Sequence, residues 1–296
     1  MFHPPRYILA SIVAGLGGFL FGLDTGTIGP VTAMPQFSQT FGTLSPTLHG
    51  LIVSCILITG ALSSFLAGHL ADAVGRPLGM AVGAVVFGAG AALEAGSVHL
   101  AMLFVARLVT GAGEGLFLST TVVYICEIVP AKGRGVVASA PQFFITFALV
   151  VGYFFCYGTV NLENELAWRL PFAFHALCAF VWAGLAVVFL PQSPRWLKAK
   201  GRLEEVDAAW EVLGVDPRAD LDGGEERDVE TEAGLNREPL ALRQTNTRQS
   251  VKEEVHMLLR VFAKDVRKPT ALGVFMMSMM QLSVRGYSRE KLTRMG

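Results

Sequence analysis

Six stretches of this chain, at about residues 7 to 28, 48 to 70, 78 to 98, 100 to 126, 136 to 159 and 170 to 190, run with almost no charge. A helix needs about 20 apolar residues to cross a hydrocarbon core about 30 Å thick. In lipid every backbone polar group must be satisfied within its own segment, and blocks of this length do so as helices. The fold expected is an all-α membrane protein with six transmembrane helices. The charged residues are correspondingly few, at 16% of the chain, against about 25% in soluble domains. The net charge is zero, so no overall basic field argues for a nucleic-acid partner. Cys55, Cys126, Cys178 and Cys156 lie in or at the ends of apolar blocks without metal-ligand spacing and read as small packing residues. The first block is long and lacks an Ala-x-Ala cleavage pattern, so it is expected to stay as the first span.

Lysine and arginine in the short connections set the orientation. Arg6, Arg76, Lys132, Arg134, Arg195, Lys198, Lys200 and Arg202 fall on one side of the membrane. On the other, residues 29 to 47 carry none, and 160 to 169 carry only Arg169 beside Glu163 and Glu165. The N-terminus is therefore expected in the cytoplasm, and after six crossings so is the charged stretch 196 to 269.

Against that frame, charges inside the spans stand out. Asp24 lies about seven residues past the middle of the first span, roughly 10 Å toward the outside at about 1.5 Å per residue. Arg107 lies about six residues before the middle of the inward-running fourth span, roughly 9 Å toward the same side. The two share a depth and are candidate partners, and an intramembrane carboxylate with a named partner is a functional-site hypothesis. Such a pair can act as a proton switch or can simply hold two helices together. Glu94, in the third span, has a similar depth and competes for Arg107, although it is near enough to an interface to snorkel. Glu114, in the middle of the fourth span, is a further buried acid with no partner that the sequence names. Gln142 is the strongly polar side chain in the middle of the fifth span, able both to donate and to accept hydrogen bonds. His49, His69 and His175 read as isolated. Gly111, Gly113 and Gly115 imitate a nucleotide loop, but no strand precedes them, and small residues in a span favour close helix approach.

Several runs together resemble the sugar porters of the major facilitator superfamily, particularly fungal-type monosaccharide transporters. They are Phe-Gly-Leu-Asp-Thr-Gly at 21 to 26 and Gly-His-Leu-Ala-Asp-Ala-Val-Gly-Arg at 68 to 76. Arg-Leu-Val-Thr-Gly-Ala-Gly-Glu-Gly follows at 107 to 115, then Tyr-Ile-Cys-Glu-Ile-Val-Pro-Ala-Lys-Gly-Arg-Gly at 124 to 135. Trp-Arg-Leu-Pro-Phe at 168 to 172 and Pro-Gln-Ser-Pro-Arg-Trp-Leu at 191 to 197 complete the series. The resemblance covers the chain to about residue 283. It implies the N-terminal six-helix bundle of a transporter working by alternating access, in which one bundle moves against another. It implies an inner gate formed by Asp72, Arg76, Glu127, Arg134 and Arg195, and sugar contacts from Phe21, Gln142 and Gln281. Where relatives with asparagine at position 24 usually catalyse facilitated diffusion, Asp24 with Arg107 implies proton symport. The proton is then the coupling ion, no cofactor is expected, and the partners are a small sugar or polyol and the lipid bilayer. No nucleophile with a positioned base is evident, so an enzyme is not expected. The oligomeric state is open, and the plasma membrane is the location the resemblance implies.

The departures bear on gate and substrate. Ala73 and Pro77 replace basic residues and Gln192 replaces a glutamate, which removes three charges from the inner gate of the family. Ala148 replaces a glycine, and Leu149 stands where some relatives carry a second sugar-binding glutamine. A polyol, inositol or quinate porter, and a non-transporting sensor on the same fold, stay open beside a monosaccharide transporter.

The divisions expected are a bundle at 1–195, a cytoplasmic stretch at 196–269 and an incomplete seventh helix with a charged tail at 270–296. Within the second, residues 202 to 213 have apolar positions at helical spacing, and 216 to 250 read as a disordered insertion. Residues 270 to 283 would span only about 21 Å as a helix, so a seventh crossing is not expected. The switch after Ser283 to a segment rich in arginine resembles a retained intron or frameshift, and a transport-incompetent product is the expectation that follows.

Overall fold

A computed structural model describes residues 5–130 and 133–215. Gln281, Lys132, the 216 to 250 insertion, the seventh helix and the charged tail lie outside the described residues.

Among the described residues the chain forms ten helices: α1 (Arg6–Ala33), α2 (Pro35–Phe41), α3 (Pro46–Val74), α4 (Arg76–Ala95), α5 (Leu100–Ile128), α6 (Arg134–Ala138), α7 (Ala140–Thr159), α8 (Leu166–Phe189), α9 (Pro194–Ala199) and α10 (Leu203–Leu213). Six helical segments are long and apolar enough to cross a membrane: α1, α3, α4, α5, α6 continued into α7, and α8. The expected spans are therefore present, each longer or shifted by a few residues. The protein is a multi-pass membrane protein.

Local chemistry sets the boundaries. The Ser45 hydroxyl accepts from the Leu48 N–H at the start of α3, and Ser193 caps α9 through the Trp196 N–H, satisfying donors that a helix start leaves open. Pro46, Pro77 and Pro194 occupy first-turn positions, where a missing N–H costs nothing. Gly75 turns α3 into α4 with φ +98°, a conformation open to glycine at little cost. At the end of α4, the Arg169 guanidinium donates to the Ala95 carbonyl at 2.8 Å and stacks 4.5 Å over the Trp168 ring. The Trp-Arg pair thereby ties the start of α8 to the end of α4.

Small residues let the helices approach until backbone meets backbone. A methyl group on Gly22 would lie 2.2 Å from the Ile145 carbonyl oxygen, and one on Gly18 2.5 Å from that of Pro141, so α1 lies directly on α7. On α5, methyl groups at Gly113 and Gly115 would meet the Phe87 nitrogen at 2.3 Å and the Gly60 oxygen at 2.1 Å. The glycine run therefore opens two sides of α5, one to α4 and one to α3. In lipid, where apolar burial gives little drive between helices, such close packing is the main source of association.

Larger side chains fill the layers between these contacts. Phe87, Phe117 and Trp182 stack edge-on with centroids 5.7 and 5.4 Å apart, and Trp182 Nε1 donates to the Val13 carbonyl at 2.7 Å. At the opposite end α2 places Phe37 and Phe41 against Trp168. The exposed apolar side chains concentrate on α3, with Leu57, Ile58, Leu62 and Phe65, on α7, with Phe143, Phe147, Tyr153 and Phe154, and on α8, with Leu177, Phe180, Val181 and Val188. The helix expected at 202 to 213 is α10, whose Leu213 is fully buried and packs into the same core as Ala10 and Leu190.

Candidate functional site

The site is built where α1, α4 and α5 meet. Arg107 is fully buried and Asp24 is 2% exposed. Arg107 Nη1 donates to Asp24 Oδ1 at 2.5 Å and Nη2 donates to Oδ2 at 3.1 Å. This two-pronged arrangement matches the planar fork of arginine to the carboxylate. The depth reckoning from the sequence thus puts the two residues where the structure joins them.

Glu94 belongs to the same cluster. It is wholly buried, with Oε2 3.6 Å from Arg107 Nη1 and Oε1 2.6 Å from Thr110 Oγ1. Snorkelling does not occur: the side chain turns inward to Thr110 and Arg107. Thr110 had given no signal by itself. Its place one turn after Arg107 on α5 is the pattern that brings it to the Glu94 carboxylate that Arg107 also faces.

Glu114 is 4% exposed, and its Oε2 has no hydrogen-bond partner among the described residues. A methyl on Gly60 of α3 would lie 3.9 Å from Glu114 Oε1. His175 and His49 are not isolated. Thr27 Oγ1 lies 3.2 Å from the His175 ring in the interior, and Thr32 Oγ1 lies 2.6 Å from that of His49. His69 is also engaged.

Among the expected sugar contacts, Phe21 is half-buried on α1 and Gln142 is exposed on α7, the pair of helices held by the glycine contacts. The Gln142 side chain makes no hydrogen bond among the described residues, which leaves both of its polar groups to a ligand or solvent. Leu149, whose backbone receives Gly26, is 41% exposed along the same helix.

A second polar cluster forms at the other end of the spans. Arg76 opens α4 and reaches Glu127 near the end of α5, with Nη2 3.0 Å from Oε1 and Nε 3.2 Å from Oε2. It also pairs with Asp72 at the end of α3. The Arg76 and Glu127 side chains are 13% and 14% exposed, whereas Asp72 is 65% exposed. The Glu127 contact is therefore the stronger tie, since exposed pairs contribute about 0 to 1 kcal/mol. Trp196 of α9 donates through Nε1 to the Asp72 carbonyl at 3.1 Å, and Tyr124 donates to that of Pro191 at 2.8 Å. Arg134 and Arg195 are half-buried at this end, on α6 and α9. Gln192, which stands in place of the family glutamate, lies against Gly75, and its Oε1 has no hydrogen-bond partner among the described residues. The sequence pointed to the charged members of this cluster but not to Tyr124 or Trp196, whose roles rest on main-chain carbonyls.

The family described as "Sugar (and other) transporter" matches residues 10–286. Among curated proteins, the low-affinity glucose transporter HXT1 of Saccharomyces cerevisiae is 33% identical over 213 residues, covering 68% of this chain and 37% of that protein. The MFS-type transporter criB of Aspergillus cristatus is 35% identical, covering 68% and 42%. The probable polyol transporter 4 of Arabidopsis thaliana is 33% identical, covering 70% and 38%. The chain spans about two fifths of the length of these relatives. Among solved structures, the xylose transporter XylE from E. coli in a partially occluded inward-open conformation aligns with a TM-score of 0.65 and 25% identity, covering 77% of this chain and 60% of that one. The proton:xylose symporter XylE bound to 6-bromo-6-deoxy-D-glucose aligns with a TM-score of 0.62 and 26% identity, covering 77% and 55%.

Proposed function

The chain belongs to the sugar (and other) transporter family of the major facilitator superfamily, and from that premise we propose that its helices form one bundle of a monosaccharide transporter driven by proton symport. The observation that carries this reading is the two-pronged contact of Arg107 with Asp24 inside the membrane. An ionised carboxylate is tolerated at that depth because the guanidinium neutralises it. Protonation of Asp24 removes the charge that holds Arg107 and loosens α1 from α5. Sugar then binds from the outside against Phe21, Gln142 and Gln281, and loss of the proton on the inner side restores the pair. The Arg76–Glu127 contact with Asp72, Arg134 and Arg195 acts as the inner gate, parting when the inner side opens. The N-terminus lies in the cytoplasm and the protein in the plasma membrane.

A polyol is the second reading, supported by the equal identity to the probable polyol transporter of Arabidopsis thaliana and by the apolar Leu149 in the expected pocket. The test is uptake of labelled glucose by hexose-transport-deficient cells expressing the full-length protein, with and without excess unlabelled polyol. Uptake that is faster at acid pH, resists polyol and fails with Asp24→Asn supports the monosaccharide symporter. Uptake abolished by polyol assigns the second reading, and uptake indifferent to pH overturns the coupling.

A further inference from the structure

The cluster around Arg107 holds more acid than base. Asp24 on α1, Glu94 on α4 and Glu114 on α5 are all at least nine-tenths buried, and Arg107 is the cation placed among them. The other titratable groups facing it are Cys55 on α3 and His175 on α8, with Arg169 of α8 at the outer rim, where it is paired with Glu165. With Asp24 and Arg107 already neutralising each other, an ionised Glu94 would add an uncompensated charge in an interior that penalises it heavily.

The contacts of Thr110 are compatible with a protonated Glu94. Thr110 Oγ1 lies 2.9 Å from the Ala106 carbonyl oxygen of its own helix and 2.6 Å from Glu94 Oε1. A hydroxyl carries a single hydrogen. With that hydrogen on the Ala106 carbonyl, the 2.6 Å contact is made by a hydrogen on a protonated Glu94; with Glu94 ionised, Thr110 donates to Glu94 instead. Meanwhile Glu94 Oε2 lies 3.6 Å from Arg107 Nη1, the same nitrogen that donates to Asp24, and has no hydrogen-bond partner among the described residues.

We propose that Glu94 is a second proton site, protonated while Asp24 is paired with Arg107, and that it becomes the anionic partner of Arg107 when Asp24 takes up the proton. In the exchange the proton leaves a Glu94 carboxyl oxygen and ends on a carboxylate oxygen of Asp24. Arg107 keeps all its hydrogens and moves Nη1 from Asp24 to Glu94. The three groups sum to zero charge before and after, which is what a low-dielectric interior favours. Release of the guanidinium from α1 thus has a destination on α4, within the same bundle. The role of this exchange in transport rests on the proton-coupled reading above; the protonation of Glu94 does not.

The test is infrared spectroscopy of the 296-residue chain in lipid nanodiscs at neutral pH, reading the C=O stretch of protonated carboxyl groups. Glu94→Gln is expected to remove one such band. Asp24→Asn is expected to remove the same band, because Glu94 then ionises to pair with Arg107. A spectrum unchanged by Glu94→Gln, or a band that survives Asp24→Asn, overturns the proposal. If Glu94→Gln does not fold, Thr110→Val keeps the carboxyl and removes its hydrogen-bond partner, so the band must shift, and an unshifted band overturns the proposal equally. Uptake indifferent to pH alongside a band that switches would sink the coupling and leave the proton site standing.

Discussion

At the scale of single residues, Asp24 and Arg107 were legible in the sequence because depth in a membrane is simple arithmetic on a helix, and two opposite charges at one depth have few other places to go. Glu94 was only half legible. Its competition for Arg107 followed from depth, but its burial comes with an inward contact to Thr110, between α4 and α5, which no local pattern shows. The same cluster yields a stability prediction. Arg107→Ala strands a buried carboxylate, and breaking a buried pair from one side typically costs about 3 to 5 kcal/mol. A large fall in the thermal unfolding midpoint in detergent is expected, partly restored in the double variant with Asp24→Asn. Asp24→Asn alone should cost less than Arg107→Ala, because Glu94 remains within reach of the guanidinium. Equal losses from the two single variants would contradict this.

Among the elements, the six spans were readable because an uncharged run of some twenty residues has one solution in lipid. The short helices were not. The helix α2 contains two phenylalanines within seven residues outside the long blocks, and its place comes from packing on Trp168 rather than from its own sequence. The break at Ser139 between α6 and α7 also went unread, since a single continuous apolar block covers it. Packing of α1 on α7 gives the prediction at this scale. Gly22→Ala puts a methyl 2.2 Å from a backbone oxygen, whereas Gly29, on the same helix, has open space around it. Overpacking of this kind costs about 1 to 3 kcal/mol. Gly22→Ala should lower the unfolding midpoint and Gly29→Ala should leave it in place. Parallel behaviour of the two would mean that α1 does not sit on α7 as described.

For the whole molecule, the two polar clusters lie at different levels of one bundle and share α4 and α5. Arg107 and Glu94 join these helices near one end, and Arg76 and Glu127 join them near the other. The motifs announced both clusters, but the sequence could not rank their contacts, because exposure decides which pair matters. Glu127→Gln should loosen the gate end and speed alkylation of the neighbouring Cys126, which is half-buried. Asp72→Asn, removing the exposed partner, should change that rate little. Were Asp72→Asn the more disruptive of the two, the assignment of the main gate tie would be wrong. The central claim is that proton uptake at Asp24 accompanies sugar entry, and the most direct measurement is the pH of a weakly buffered suspension of transporter-deficient cells expressing the full-length protein as sugar is added. The account predicts a sugar-evoked alkalinisation that disappears with Asp24→Asn, and an alkalinisation that persists in that variant would contradict it.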